Sequence, residues 1–180
     1  LDTGNFNYAN VQGANGEDIR FFETAGNGGG ALNYFIETWN NTGTSLIWVM
    51  LPSIPASGTV DFEIHYNDAG TTTSGANFAA TFPNAYVSSG NATLTGTQTF
   101  DWFEVQAGDT ITVGAGSPFV VNARRVIVDG TIDGIGAGFQ APASSNNGTG
   151  PGGGLFGTSS GASGGGYGGD RGGYGGDRGG

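Results

Sequence analysis

The sequence predicts an all-β protein in three parts. These are an N-terminal β-sandwich over residues 1–83, a second small β-sandwich or β-solenoid-like module over 84–140, and an extended glycine-rich C-terminal arm over 141–180. Three observations carry this. Runs of β-branched and aromatic residues recur between turn residues, and one of them alternates apolar and polar residues without a break. No stretch holds an uninterrupted period of 3.6, so helix is expected only as a single turn near Asn77–Ala80. Glycine supplies 38 of the 180 residues, and the last twenty positions alone hold twelve.

In the first module, Asp18-Ile-Arg-Phe-Phe-Glu23 and Leu32-Asn-Tyr-Phe-Ile-Glu-Thr-Trp39 are β-rich runs on either side of the turn-forming Ala25-Gly-Asn-Gly-Gly-Gly30. Ser45–Leu51 is a third strand, stopped by Pro52 and Pro55. Val60-Asp-Phe-Glu-Ile-His-Tyr-Asn67 alternates strictly. Its pattern turns Val60, Phe62, Ile64 and Tyr66 inward and Asp61, Glu63, His65 and Asn67 outward.

The character changes after residue 83. Short strands are expected at Ala92–Leu94, Thr99–Val105, Asp109–Val113, Phe119–Val121, Arg125–Val128 and Thr131–Ile132. Tight corners such as Ala107-Gly-Asp109, Gly114-Ala-Gly116 and Asp129-Gly130 separate most of them. This spacing fits a small Greek-key sandwich or solenoid rungs stacked as a parallel β-helix, although no rung period repeats. From Gly134 onward glycine takes over, with Pro142, Pro151 and a polar Ser144–Asn147 loop. The arm ends in a perfect repeat, Tyr167-Gly-Gly-Asp-Arg-Gly-Gly and Tyr174-Gly-Gly-Asp-Arg-Gly-Gly.

Composition excludes several functional classes. Fifteen acids against five basic residues, all arginine, give a net charge of −10 and disfavour nucleic acid or an anionic membrane as partner. The longest apolar run, Leu46–Leu51, suits a buried strand and is far too short for a membrane span. Without cysteine there are no disulfides, thiolate metal sites or cysteine nucleophiles. Without lysine there are no isopeptide crosslinks and no Schiff-base chemistry. A polymer of this chain is therefore expected to be noncovalent. The chain begins at Leu1, and a leader removed on export fits that start. Asn40-Asn-Thr, Asn91-Ala-Thr and Asn147-Gly-Thr have the form of N-glycosylation acceptors.

His65 is the single histidine and sits on the polar face of an alternating strand, which argues against a histidine metal centre or a Ser–His triad. The carboxylate pairs Glu17/Asp18, Asp61/Glu63 and Asp129/Asp133 read as solvated faces and turns rather than as acids facing across a cleft. Trp39, Trp48 and Trp102 suit core packing, with a sugar-stacking platform as the alternative. No enzyme activity and no cofactor are expected. Calcium is a weak exception: Gly165-Gly-Tyr-Gly-Gly-Asp170 and its second copy match the opening of a G-G-x-G-x-D repeat. They lack its following large apolar residue and its nine-residue period. The tail also resembles RGG-type segments, but Asp170 neighbours Arg171 and Asp177 neighbours Arg178, which leaves it locally neutral. That pairing suits packing against identical neighbours, through Tyr167 and Tyr174 stacking and Asp–Arg bridges.

Four segments carry a family resemblance. Gly16-Glu-Asp-Ile-Arg-Phe21, Leu32–Trp39, Ser45-Leu-Ile-Trp-Val-Met-Leu-Pro52 and Ile64-His-Tyr-Asn67 occur in this order. Together they resemble the family catalogued as domain of unknown function 2341, over about residues 1–83. The resemblance implies a β-sandwich and a secreted or surface-attached setting in bacteria or archaea. It implies no catalytic residues. It also implies one or more strands ahead of the position of Leu1, and a sheet lacking such an edge strand invites a strand from another chain. The glycine-rich arm and Leu1–Tyr8 are the candidate inserted pieces.

The functional expectation is a structural subunit of an extracellular or cell-surface filament. Copies would join head to tail by strand complementation and arm packing, with covalent glycans on the surface and neither nucleic acid nor membrane insertion. The alternative is a carbohydrate-binding module of a microbial surface adhesin.

Overall fold

The computed structural model describes residues 1–24 and 29–138. The chain divides between Pro83 and Asn84 into two units. Their regular secondary structure is strand, apart from one turn of α-helix and one 3-10 turn, among the described residues. The arm, most of the Ala25–Gly30 turn and the Ser144–Asn147 loop lie outside the described residues.

In the first unit, β1 (Arg20–Glu23) pairs antiparallel with β4 (Phe62–His65), and β2 (Tyr34–Thr38) with β3 (Leu46–Val49). A bulge between Ile36 and Thr38 shifts the second register. Apolar side chains from these ribbons and their approaches meet in one core. Ile19, Phe21, Leu32 and Tyr34 are buried, and Ile36, Ile47, Val49, Ile64 and Tyr66 pack around them. A buried hydroxyl needs a partner, and Tyr34 donates to the Ile19 carbonyl at 2.6 Å. The expected inward face of β4 holds for Ile64 and Tyr66 but not fully for Phe62, which is 42% exposed. Phe62 faces Glu23 at the end of the ribbon, beyond the buried cluster.

The start of the chain is used within its own unit. The Leu1 amino group donates to the Ser45 carbonyl at 3.1 Å, and the Ser45 N–H donates back to the Leu1 carbonyl at 2.8 Å. Phe6 packs on Tyr66 and Tyr8, and Tyr8 on Trp39. Leu1–Tyr8, one of the candidate inserted pieces, is thus engaged by hydrogen bonds and ring contacts within its own unit. The expected helical turn is α1 (Phe78–Thr81), capped by the Asn77 side chain, which accepts from the Ala80 N–H at 3.0 Å. It brings Phe78 and Phe82 against Phe35, and Phe82 against Trp48.

Among the described residues, the second unit pairs its strands parallel. β5 (Ala85–Val87), β7 (Thr97–Val105) and β9 (Val120–Val128) form one sheet, with β7 in the middle. β6 (Ala92–Leu94), β8 (Thr110–Val113) and β10 (Thr131–Asp133) form another, with β8 in the middle. Successive strands alternate between the sheets, so each strand pairs with the one two places on. This is rung stacking; the antiparallel order of a Greek-key sandwich, the other expectation, is not what these strands adopt. Rung length varies, which hides the period: Ala85 lies opposite Trp102, whereas Thr97 lies opposite Val120. Phe103, Val105 and Ile111 form the buried centre, with Tyr86 stacked on Phe103 at 5.2 Å.

The corners explain why the chain moves on to the other sheet instead of folding back as a hairpin. Asp109 accepts from the Ser88 hydroxyl and from the Gly90 N–H, and the Gln106 N–H donates to the Ser88 hydroxyl. One rung's corner is thereby tied to the next. Gly130 turns the third rung so closely over the second that an added Cβ would lie 2.4 Å from the Gln106 carbonyl oxygen. Two sequence expectations change here. The expected strands Phe119–Val121 and Arg125–Val128 merge into a single strand, β9, which begins at Val120, because Asn122-Ala123-Arg124 continues the alternation of exposure rather than breaking it. The three-residue β5 was not anticipated; Ala-Tyr-Val is too short to show a period.

Candidate interaction surface

The candidate site residues fall on both sides of the described boundary. Asn147, Tyr167, Asp170, Arg171, Tyr174, Asp177 and Arg178 lie outside the described residues, as do both copies of the G-G-x-G-x-D match. Asn40 and Asn91 are exposed. The Asn40 side-chain Oδ1 accepts from the Thr42 N–H at 3.1 Å and the Thr42 hydroxyl at 3.0 Å, so its amide nitrogen is turned away from Thr42. Asn91 caps a rung corner by accepting from the Thr110 N–H at 2.9 Å.

The titratable groups serve the backbone. His65 is exposed and 3.0 Å from Glu63, across one face of β4. Glu17 and Asp18, adjacent in sequence, part company in the fold. Glu17 is held below the usual carboxylate range by the Asn15 N–H, against the opposing effect of burial. Asp18 is 2% exposed, and its Oδ2 accepts from the N–H groups of Asn67 at 2.6 Å and Asp68 at 3.1 Å. It thereby holds the turn after β4, where Asn67 takes a φ of 73°. Asp68 is lowered chiefly by the Thr71 hydroxyl, then by the Gly70 N–H. Asp109 is lowered chiefly by the Ser88 hydroxyl, then by the Gly90 N–H. Among the described residues no group of three or more His, Cys, Asp or Glu side chains is arranged to hold a metal ion.

The three tryptophans sit in packed surroundings. Trp102 is 3% exposed and donates to Glu104 at 2.8 Å; the Arg125 guanidinium lies 6.0 Å from its ring centre. Trp39 and Trp48 are half-buried, and Trp48 donates to Glu37 at 2.6 Å. A cavity of about 200 Å³ is lined by Glu23, Ser53, Pro55, Thr59 and Val60. It is smaller than the roughly 300–1,000 Å³ of ordinary small-molecule sites.

The larger surface features are strand edges. Among the described residues, β9 pairs only with β7 and β4 only with β1. β9 is nine residues long, and its Val120, Val126 and Val128 are 41%, 49% and 44% exposed. Sequence reasoning missed this edge because it split the strand in two. Its signal was the alternation of exposed Val120, Asn122, Arg124, Val126 and Val128 with less exposed residues between them. No helix among the described residues is long and apolar enough to cross a membrane.

Comparison with known proteins supplies one match. No curated protein and no solved structure matches the chain. The family model described as Domain of unknown function (DUF2341) matches residues 15–114. That match runs beyond the expected limit at residue 83 and takes in β5 to β8 of the second unit. Since it covers more than half of the 180 residues, the chain belongs to this family.

Proposed function

We propose that the chain is a non-enzymatic structural subunit of an extracellular filament or surface appendage, its copies joined head to tail without covalent bonds. In this reading the first unit acts as a β-sandwich and the Tyr167–Gly180 repeat packs between subunits. Asn40 and Asn91, both exposed, carry glycans. The observation that carries the proposal is the β9 edge. A nine-residue strand, paired on one side among the described residues and exposing three valines, is a template for a further strand. The absence of lysine and cysteine restricts self-association to noncovalent contacts. A carbohydrate-binding role has less support, because Trp102 is buried and the other two tryptophans are half-buried.

Negative-stain microscopy of the purified chain tests the proposal: long filaments are expected, and discrete particles that bind glycans would sink it. Removal of residues 161–180 is expected to stop polymerisation, and normal assembly without them would discard the role given to the repeat.

A further inference from the structure

Among the described residues, two strands that pair on one side only carry opposite charges. We infer that the β9 edge of one copy pairs with the β4 edge of a second copy, an inference that rests on the filament reading. Strand alternation defines what each edge presents. The Val120 N–H donates to the Gly96 carbonyl at 3.0 Å, on the β7 side. In a parallel ladder alternate residues bond to the same neighbour, so the backbone groups of Val121 and Ala123, ahead of the break in the ladder at Arg124, are directed away from β7. On β4, the Thr24 N–H donates to the Asp61 carbonyl at 3.2 Å. With the register Phe22 opposite Glu63, the backbone groups of Phe62 and Ile64 are directed away from β1.

Charge selects between self-pairing and cross-pairing. β9 carries Arg124 and Arg125, two of the chain's five arginines, at its centre, and Arg124 is 76% exposed with Asp101 at 3.7 Å. Antiparallel pairing of Val120–Val128 with its own copy about that centre would set Arg124 across from Arg124, and like charges directly opposite are destabilising. β4 offers the opposite sign: Glu63 is 58% exposed, next to the exposed Phe62. Pairing β4 with β9 in the register that sets Glu63 beside Arg124 brings opposite charges together on one face of the joined sheet. The interface is heterologous, so it leaves one open edge at each end of the assembly and propagates.

Charge reversal tests this in the full chain, with assembly followed by sedimentation and microscopy. Arg124→Glu and Glu63→Arg are each expected to raise the concentration needed for assembly by about tenfold or more, and the double variant to recover most of it. Ala123→Pro removes one outward N–H while leaving the β7 ladder intact, and is expected to weaken assembly with an unchanged far-UV circular dichroism spectrum. Filaments that form normally in all three variants overturn the pairing and leave the filament reading standing. Failure of the double variant to recover also overturns it, and points to another occupant such as residues 139–180. A wild-type chain that stays monomeric at every concentration overturns both.

Discussion

In the first unit, strands far apart in sequence pair antiparallel, β1 with β4, and the core is threaded with polar contacts. In the second, β5 to β10 pair parallel with the strand two places on, and the centre is apolar. Buried Asp18, Tyr34 and Ser45 accept or donate within the first unit, whereas Phe103, Val105 and Ile111 fill the second. The difference follows from the connections. An antiparallel ribbon tolerates long irregular loops, and such loops carry backbone groups that need side-chain partners. Parallel rungs need short, regular corners, and there the hydrogen bonds of Ser88, Asp109 and Asn91 are concentrated.

The largest test of this contrast is Phe103→Ala. It removes a fully buried ring stacked between Tyr86 and Phe100, at a cost of about 3–5 kcal/mol to the second unit. Thermal unfolding followed by near-UV circular dichroism should show that loss as a large fall in Tm. Asp18→Ala probes the polar side of the comparison. It leaves the Asn67 and Asp68 N–H groups without their acceptor and is expected to cost about 1.5–3 kcal/mol, measured by urea denaturation. Gly130→Ala presses a methyl group against the Gln106 and Asp109 carbonyls and should cost about 1–3 kcal/mol in the same assay. Asn77→Ala, at the helix cap of the first unit, is expected to cost about 1 kcal/mol.

The smallest effect concerns pH. Because the folded state lowers the Asp109 pKa from the ordinary 3.8, the unfolded chain takes up the proton first as pH falls. The stabilisation from the Ser88 and Gly90 contacts is therefore full above about pH 5 and lost through and below the lowered pKa. Ser88→Ala should flatten this acid-side dependence, as measured by unfolding at stepped pH. An unchanged pH profile would contradict the role given to the corner.

Much of the strand content was legible residue by residue. β4 and β8 lie within their expected runs, and β6 matches Ala92–Leu94, because alternation and turn residues are local signals. The single helical turn was readable from Asn77 ahead of Phe78-Ala-Ala. The interaction surface was less legible. Glu63 and His65 were placed on an outward face, and so they lie. Arg124 was not singled out, since an edge exists only once its neighbours are known.

The sequence by itself determined that the chain is strand-rich, nearly free of helix, acidic, and without the side chains for covalent crosslinks. Those properties depend on composition and on periods of a few residues. Only the tertiary structure decided that the second unit pairs parallel, that Asp18 is buried beside exposed turns, and that β9 is one strand with an edge to offer. Each of these depends on backbone partners many residues away, and a pattern of side chains does not name its partner until the corners have set the register.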